Sequence, residues 1–567
     1  MIIEPRVRLP RGRGGLSLVV LAGLLVTALG VPIVTAAPSG IVDVQLLAMN
    51  DFHGNLEPPS GSSGRIGTTN AGGIEYLATH VAMLEATNQN SLVVSAGDLI
   101  GASPLLSALF HDEPTIEAMN LLGLDVNAVG NHEFDEGVAE LIRMQEGGCH
   151  PVDGCLDGDD FAGADFRFLA ANVKWAKNGK TIFPAYKLFS FGGARIALVG
   201  IVTRTTPTIV TPSGVAGVVF QDEADAVNAL LPELRKKGIE TVVVLIHEGG
   251  FAGTDVNGCS GPSGAIVDIV SRTDHEVDLF ISGHTHQAYN CIIDGRPVSS
   301  GSSFGRLVTD IDLAIDRSTG EPVSISIDNR IVTRDVAANA GETALIAKYK
   351  TLSAPLANRV VGHITADITR TANAAGESAL GDFIADSQWF VTQDPGFGDA
   401  VMAFMNPGGI RADLTYASSP GGEGDGVVTY SEIFTVQPFG NSLVTLTLTG
   451  AQIDTLLEQQ FVGCGQTSNR ILQVSSSVSY AWSLSGGACA KVDPASIMLS
   501  GVVIDPGASY RVTVNSFLAD GGDNFLVLKQ GTNRLGGDVD LDAVEKYFLA
   551  QPGPVAPSAL GRITQLP

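Results

Sequence analysis

The sequence predicts an α/β (α+β) protein of two domains, and three observations carry that reading. At 567 residues the chain exceeds what one hydrophobic core sustains. From residue 40 to about 335, short β-branched apolar runs alternate with amphipathic stretches of helical period, the pattern of a sheet covered by helices. Charged residues make up 17% and apolar ones 44%, a globular rather than a disordered balance.

In chain order, the first segment carries Arg6, Arg8, Arg11 and Arg13, then an apolar run from Leu16 to Ala37 that ends in Thr35-Ala36-Ala37. Charge, apolar core and small residues in that order predict a secretory signal peptide over 1–37. The competing reading is an uncleaved anchor, since about 20 apolar residues can span a bilayer; Pro32 and the small-residue end favour cleavage. Strand-like runs follow at Ile41–Ala48, Ser91–Ser95, Val126–Val129, Thr241–Ile246 and Val277–Ile281. Gly73–Ala86 and Ala224–Lys237 read as helices, the second closed by Lys236-Lys237-Gly238. Cys149–Phe166, with Asp157-Gly158-Asp159-Asp160, breaks the rhythm and reads as a surface insertion, a solvated acidic loop rather than a calcium loop. A helical stretch at Glu342–Leu356 leads to a second α/β region with a helix near Leu380–Val391 and strands at Leu443–Thr449 and Tyr510–Val514. Six cysteines in an exported chain suggest disulfides. Cys149/Cys155, Cys259/Cys291 and Cys464/Cys489 pair most simply by neighbourhood, although six cysteines permit about 15 connectivities.

Each of the five strands of the first region is followed by side chains suited to metals: Asp51 and His53, Asp98, Asn131 and His132, His247, and His284 and His286. Ligands gather outside the carboxyl ends of strands in such sheets. Asp51 and His53, two apart, point the same way from an extended backbone and can grip one ion. Asp98 follows the small residues Ala96-Gly97 and has two oxygens with which to bridge a pair of ions. The spacing predicts Asp51, His53, Asp98 and His286 on one ion, with Asp98, Asn131, His247 and His284 on the other. Imidazole and carboxylate without thiolate suit Zn²⁺ or Mn²⁺, and Fe²⁺, better than Ca²⁺. Two such ions, about 3.5–4 Å apart, acidify a bridging water to a hydroxide and clamp the oxygens of an in-line displacement, the chemistry of a dimetal hydrolase. His132 reads as a catalytic residue rather than a ligand, oriented and kept protonated by Asp135. Any one of these pieces occurs by chance; a lone histidine after a strand is more often a hydrogen-bonded core residue. Their joint order is what signifies. His80, His111, His150, His275 and His363 lack this context and read as surface or core.

Asn50-Asp51-Phe52-His53-Gly54, Ser95-Ala96-Gly97-Asp98, Gly130-Asn131-His132-Glu133-Phe134-Asp135 and Gly283-His284-Thr285-His286 resemble the signatures of calcineurin-like dimetal phosphoesterases. Within these the chain is most similar to the bacterial 5′-nucleotidase / UDP-sugar hydrolase family, which includes animal ecto-5′-nucleotidase. The resemblance covers nearly all of the chain beyond the leader. It implies a four-layer αββα metallophosphoesterase domain over 40–340, a linker helix over 341–359, and a smaller α/β 5′-nucleotidase C-terminal domain over 360–563 that binds the nucleoside.

That resemblance also assigns roles in the second domain. Phe439, in Gln437-Pro438-Phe439-Gly440-Asn441, and Phe517, in Asn515-Ser516-Phe517-Leu518-Ala519-Asp520, match the base-stacking pair. Asn406 and Arg411, in Asn406-Pro407-Gly408-Gly409-Ile410-Arg411, match ribose and phosphate contacts, and Asp523 a ribose-hydroxyl acceptor. Stacking is worth about 1–3 kcal/mol per base. Where relatives place a further arginine ahead of the first helix of this domain, the chain has Ala374-Ala375-Gly376-Glu377; Arg370 sits too early to match, which leaves Arg411 as the phosphate contact of this domain.

The expected function is an exported dimetal phosphohydrolase releasing phosphate from nucleotides by attack of the metal-bridging hydroxide: a 5′-nucleotidase, with UDP-sugar or 2′,3′-cyclic nucleotide hydrolysis as variants. The expected location is secreted or in the cell envelope, with no membrane contact beyond the leader. The alternatives are a sulfur-ester hydrolase of the same fold, which the phenylalanine pair disfavours, and a non-catalytic secreted binding protein, for which His132 and Asp135 would be superfluous. A net charge of −26 repels phosphate backbones, so the expected partner is a small nucleotide and not a nucleic-acid polymer.

Overall fold

The computed structural model describes residues 40–567 apart from 60, 211–213, 254 and 418–420; the expected leader lies outside the described residues. Two six-stranded sheets form the N-terminal half. The first runs Pro322–Ile331, Leu307–Asp316, Ile41–Met49, Ser91–Ser95, Val126–Ala128, Arg167–Leu169. The second runs Ala288–Ile293, Arg296–Gly301, Leu279–Ser282, Thr241–His247, Ala194–Val202, Tyr186–Phe191. In each, the central strands that precede the expected ligands are parallel, with Leu46 opposite Leu92, Val94 opposite Val126, and Val243 opposite Leu279.

The layering follows from the side-chain period of two. On the first strand, Val44, Leu46 and Ala48 face the second sheet, where they meet Ile196, Leu198, Val243 and Leu245, while Leu47 and Met49 face outward. The outward set packs against the helices Ile74–Glu85, Glu113–Leu122 and Val138–Glu146. The outer face of the second sheet is closed by Glu223–Lys236 and Ala265–Arg272. Helix, sheet, sheet and helix stack in four layers. Strands covered on both faces need apolar residues at every position, which is why Thr241–His247 is buried throughout.

The stretch at 342–356 is the helix Ala340–Ala357, started by the Asn339 side chain, which accepts from the amides of Gly341 and Glu342. Its Ile346 and Tyr349 are buried in the same core as Ile116 and Phe110. Beyond it, a five-stranded sheet runs Gln473–Val474, Met402–Met405, Ser509–Asn515, Ser442–Thr449, Thr532–Val539. The helix Ala379–Thr392, begun by a hydrogen bond from the Gly381 amide to Ser378 Oγ, lies against it. All three cysteine pairs taken by neighbourhood form disulfides. The insertion is an exposed acidic loop, as expected, except at Asp157, whose carboxylate is docked on the linking helix, accepting from Lys348 Nζ at 2.7 Å and Tyr349 Oη at 3.0 Å. Among the described residues no helix is long and apolar enough to cross a membrane.

Leu198 lies wholly buried between the two sheets. Leu198→Ala should lower stability by about 2–5 kcal/mol in urea unfolding, the cost of lost burial plus the cavity left behind.

Candidate metal centre and substrate cleft

The five loops after the parallel strands converge at one edge of the two sheets. Asp51 and Asp98, both fully buried, lie at the centre. His286 Nε2 is 3.3 Å from Asp51 Oδ1, and His53 Nε2 is 3.2 Å from His286 Nε2. His247 Nε2 is 3.0 Å and His53 Nε2 3.5 Å from Asp98 Oδ2. Two donor clusters result, Asp51–His53–His286 and Asp98–His247–His284, with Asp98 also within reach of His53.

The loops hold an unusual backbone. Five of the seven expected ligands, Asp51, His53, Asp98, His284 and His286, have φ between 48° and 72°. Such conformations cost on the order of 1–3 kcal/mol each and persist where the surroundings over-determine them. Here one loop zips onto the next: the amides of Asp51, His53 and Gly54 donate to the carbonyls of Gly97, Asp98 and Leu99. The His284 amide donates to the Asp51 carboxylate at 3.0 Å. Close approach explains two glycines. A Cβ on Gly97 would meet His247 Nδ1 at 2.7 Å, and one on Gly130 would meet Asp98 Oδ1 at 2.2 Å.

The donors fit cations. His53 Nδ1 donates to the Gly101 carbonyl and His247 Nδ1 to the Ala96 carbonyl, both at 2.8 Å, so each turns the lone pair of Nε2 to the centre. A lone pair 3.0 Å from a carboxylate oxygen is repelled unless a positive charge lies between them. Burial alone would keep His247 neutral, but Asp98 pushes its imidazole up to about 10. Burial, together with Arg411, His132 and His286, keeps His53 neutral, the form a ligand requires. Burial also works against the Asp98 charge, yet His247 and His132 hold that carboxyl well below the usual range. Asn131 Oδ1 is buried with no hydrogen-bond donor in reach, which suits a carbonyl ligand.

His132 Nδ1 donates to Asp135 Oδ2 at 2.8 Å, and the His132 amide donates to Asp98 Oδ1 at 2.9 Å. Burial would lower its affinity for a proton, but Asp135 and Asp98 outweigh this and raise it. Its ring also lies within ligand distance of His53 and Asp98, so position alone permits a ligand role; the Asp135 hydrogen bond favours a proton carrier.

Sequence reasoning passed over Glu133, which sits inside a quoted motif. Its carboxylate accepts from the amides of Asp98, Leu99 and Gly130 and from Asn127 Nδ2, at 2.7–3.0 Å, locking the Asp98 loop to the next. Burial and the nearby Asp98 push it up to about 7. Asn50, whose Nδ2 donates to Asp51 Oδ2 at 2.5 Å, was also missed.

Residues of the C-terminal half complete a cleft of about 620 Å³ above the donors, within the size range of ligand sites. Asn406, Arg411, Phe439, Phe517 and Asp523 all line it with Asp98, Asn131 and His132. Arg411 Nη2 lies 3.5 Å from His53 Nε2, and the Phe439 ring stacks on His132 with centroids 5.7 Å apart. Asn406 Nδ2 donates to Asp523 Oδ2 at 2.9 Å, and Asp523 is ion-paired with Arg470, a residue the sequence did not single out. Arg370 does not line the cleft, but its charge, added to burial, pulls Arg411 below its usual value. The other guanidinium that lines the cleft is that of Arg470.

Residues 44–288 match the family described as calcineurin-like phosphoesterase, and residues 360–530 the family described as 5′-nucleotidase, C-terminal domain. Over 538 residues the chain is 32% identical to an endonuclease of Bacillus subtilis, covering 93% of this chain but only 41% of that longer protein. A cell wall protein of Listeria monocytogenes is 30% identical over 545 residues, covering 91% of this chain and 68% of that one. Among solved structures, a 5′-nucleotidase precursor from Thermus thermophilus is 26% identical, covers 93% of this chain and 99% of that one, and superposes with a TM-score of 0.75.

His132→Ala should lose turnover, by about 10²–10⁴-fold for a general acid, while metal content measured by elemental analysis stays at the wild-type level; loss of an ion would make His132 a ligand. Because Asp135 raises the proton affinity of His132, Asp135→Asn should move the alkaline limb of the kcat–pH profile to lower pH; an unmoved limb would assign that limb to another group.

Proposed function

The chain belongs to the calcineurin-like phosphoesterases that carry a 5′-nucleotidase C-terminal domain, and from that premise we propose that it is an exported, metal-dependent nucleotide phosphohydrolase. One observation carries the reading. The donor clusters and the nucleoside-type residues Phe439, Phe517, Asn406 and Asp523 share a single cleft. A phosphoryl group at the donors and a nucleoside against those residues would occupy it together.

In this reading Asp51, His53, Asp98 and His286 hold one divalent ion, Zn²⁺ or Mn²⁺, and Asp98, Asn131, His247 and His284 hold the other. Two such ions supply Lewis acidity and an acidified water at neutral pH. The chain does the rest. His132, protonated and steered by Asp135, donates to the phosphoryl or leaving oxygen. Arg411, with Arg370 behind it, offsets charge on the phosphate, and its planar fork suits bidentate contact. Phe439 and Phe517 receive the base, and Asp523, held by Arg470, accepts from ribose.

The leader-like first 37 residues and the kinship to a cell wall protein support an exported, envelope-associated enzyme. A second reading, polynucleotide cleavage, is favoured by the relative named as an endonuclease and opposed by the net charge of −26.

The deciding experiment measures phosphate release from AMP, ATP, UDP-glucose and cyclic nucleotides, beside strand scission of single-stranded DNA. It uses chelated protein restored with Zn²⁺, Mn²⁺ or Co²⁺. Release from mononucleotides with intact DNA supports the proposal; scission without release from any nucleotide replaces it with the nuclease reading. Replacing Phe439 and Phe517 with leucine should raise KM for nucleotides at least tenfold, given about 1–3 kcal/mol per stacked ring. KM for p-nitrophenyl phosphate should hardly change, and equal changes for both substrates would remove the stacking role.

A further inference from the structure

We propose that His111, His150 and Asp153 form a second, peripheral site for one divalent transition-metal ion of the Zn²⁺ class, apart from the catalytic pair. Three donors converge on one point. His111 Nε2 is 3.0 Å and His150 Nδ1 3.2 Å from Asp153 Oδ2. In a tetrahedral site with bonds of about 2.0–2.1 Å, neighbouring donors lie about 3.3 Å apart. Each histidine nitrogen is therefore within a few tenths of an ångström of the spacing at which it could share an ion with Asp153.

Hydrogen bonds already set their tautomers: the Asp153 amide donates to His150 Nδ1 at 3.1 Å, which marks that atom as the lone-pair side and is the bond an ion would have to displace. His111 Nδ1 donates to Glu136 Oε2 at 2.7 Å, leaving Nε2 as the atom offered towards Asp153. A histidine anchored through one nitrogen on a carboxylate while the other meets a metal is the usual arrangement of zinc-bound imidazoles. The main centre uses the same device with carbonyls, at His53 and His247. The His111 and His150 rings stack at 3.8 Å and 18°, so their nitrogen edges lie side by side. A cation shared by those edges is favourable, whereas two imidazolium rings held face to face would repel.

The backbone is arranged for the purpose. His150 and Asp153 lie in the short loop closed by Cys149–Cys155, pinned by the Gly154 amide donating to the His150 carbonyl at 2.9 Å. His111 and Asp112 are consecutive non-glycine residues with φ of 51° and 61°, strain of the kind that clusters at ligand sites. Asp112 is locked by accepting from the Gly101 amide and Ser107 Oγ. Both histidine side chains are mostly sheltered while Asp153 is about half exposed, so an ion can enter and keep a water. Two imidazoles and a carboxylate select Zn²⁺, Cu²⁺ or Ni²⁺ over Ca²⁺ and Mg²⁺. An ion there would fasten the insertion to Glu136, the residue after Asp135.

The test is zinc stoichiometry by elemental analysis after equilibrium dialysis of full-length chelated protein against micromolar free Zn²⁺. Relative to wild type, His111→Ala/His150→Ala should lose one Zn²⁺ per chain. Asp98→Ala/His247→Ala, which dismantles the main centre, should retain one, and Zn²⁺ should still raise its Tm. Adding His150→Gln to that variant should abolish the shift, and because a single conservative change is used, the comparison stands even if the double alanine variant folds poorly. Equal zinc content in wild type and His111→Ala/His150→Ala, or a Tm shift that survives His150→Gln, overturns the peripheral site. Neither result touches the dimetal reading, which would fail separately if Asp98→Ala/His247→Ala bound as much zinc as wild type.

Discussion

Two carboxylates buried at the junction of two sheets are the constraint from which most of this structure follows. Asp51 and Asp98 are removed from water, and the ionisable groups nearest them are imidazoles rather than lysine or arginine side chains. An uncompensated buried carboxylate is expensive. The surrounding loops therefore do two things at once: they give amides to the carboxylates and they turn imidazole lone pairs inward, where only a cation reconciles them. The left-handed backbone at five ligands, the interlocked amides, and the tight glycines at 97 and 130 all serve this one requirement.

The four-layer scaffold makes that arrangement affordable. Strands buried on both faces are rigid and apolar, and their parallel order delivers every loop to the same edge. Strain of several kcal/mol in the loops can persist only on such a base. The C-terminal half contributes aromatic faces and guanidinium groups over donors that are complete without it.

How much of this could be read from the chain depends on whether a signal was local. Strands of the first domain announce themselves as apolar runs, and Asp51, His53, Asp98, Asn131, His247, His284 and His286 follow them within a few residues, so the cluster was legible. Glu133 was not, because its work is to accept from two separate loops and from Asn127 on the strand between them, and no spacing encodes that. That Arg370 lies beside Arg411 was hidden too, because the hydrogen bond from Arg370 Nη1 to the carbonyl of Ile410 joins residues 40 positions apart. Arg470 acts through Asp523, which is far away in sequence. His111 and His150 lack a preceding strand and meet only because a disulfide-closed loop folds back over the helix start at Glu113.

The helix Ala340–Ala357 has a mechanical meaning. With Ile346 and Tyr349 sunk among Phe110 and Ile116, and Lys348 clasped by Asp157, it is a fixed post of the metal-bearing half and not a swivel. Any turning of the other half must be absorbed after it, at Asn358 and Arg359, where the chain leaves the post and Arg359 is tied to Glu545.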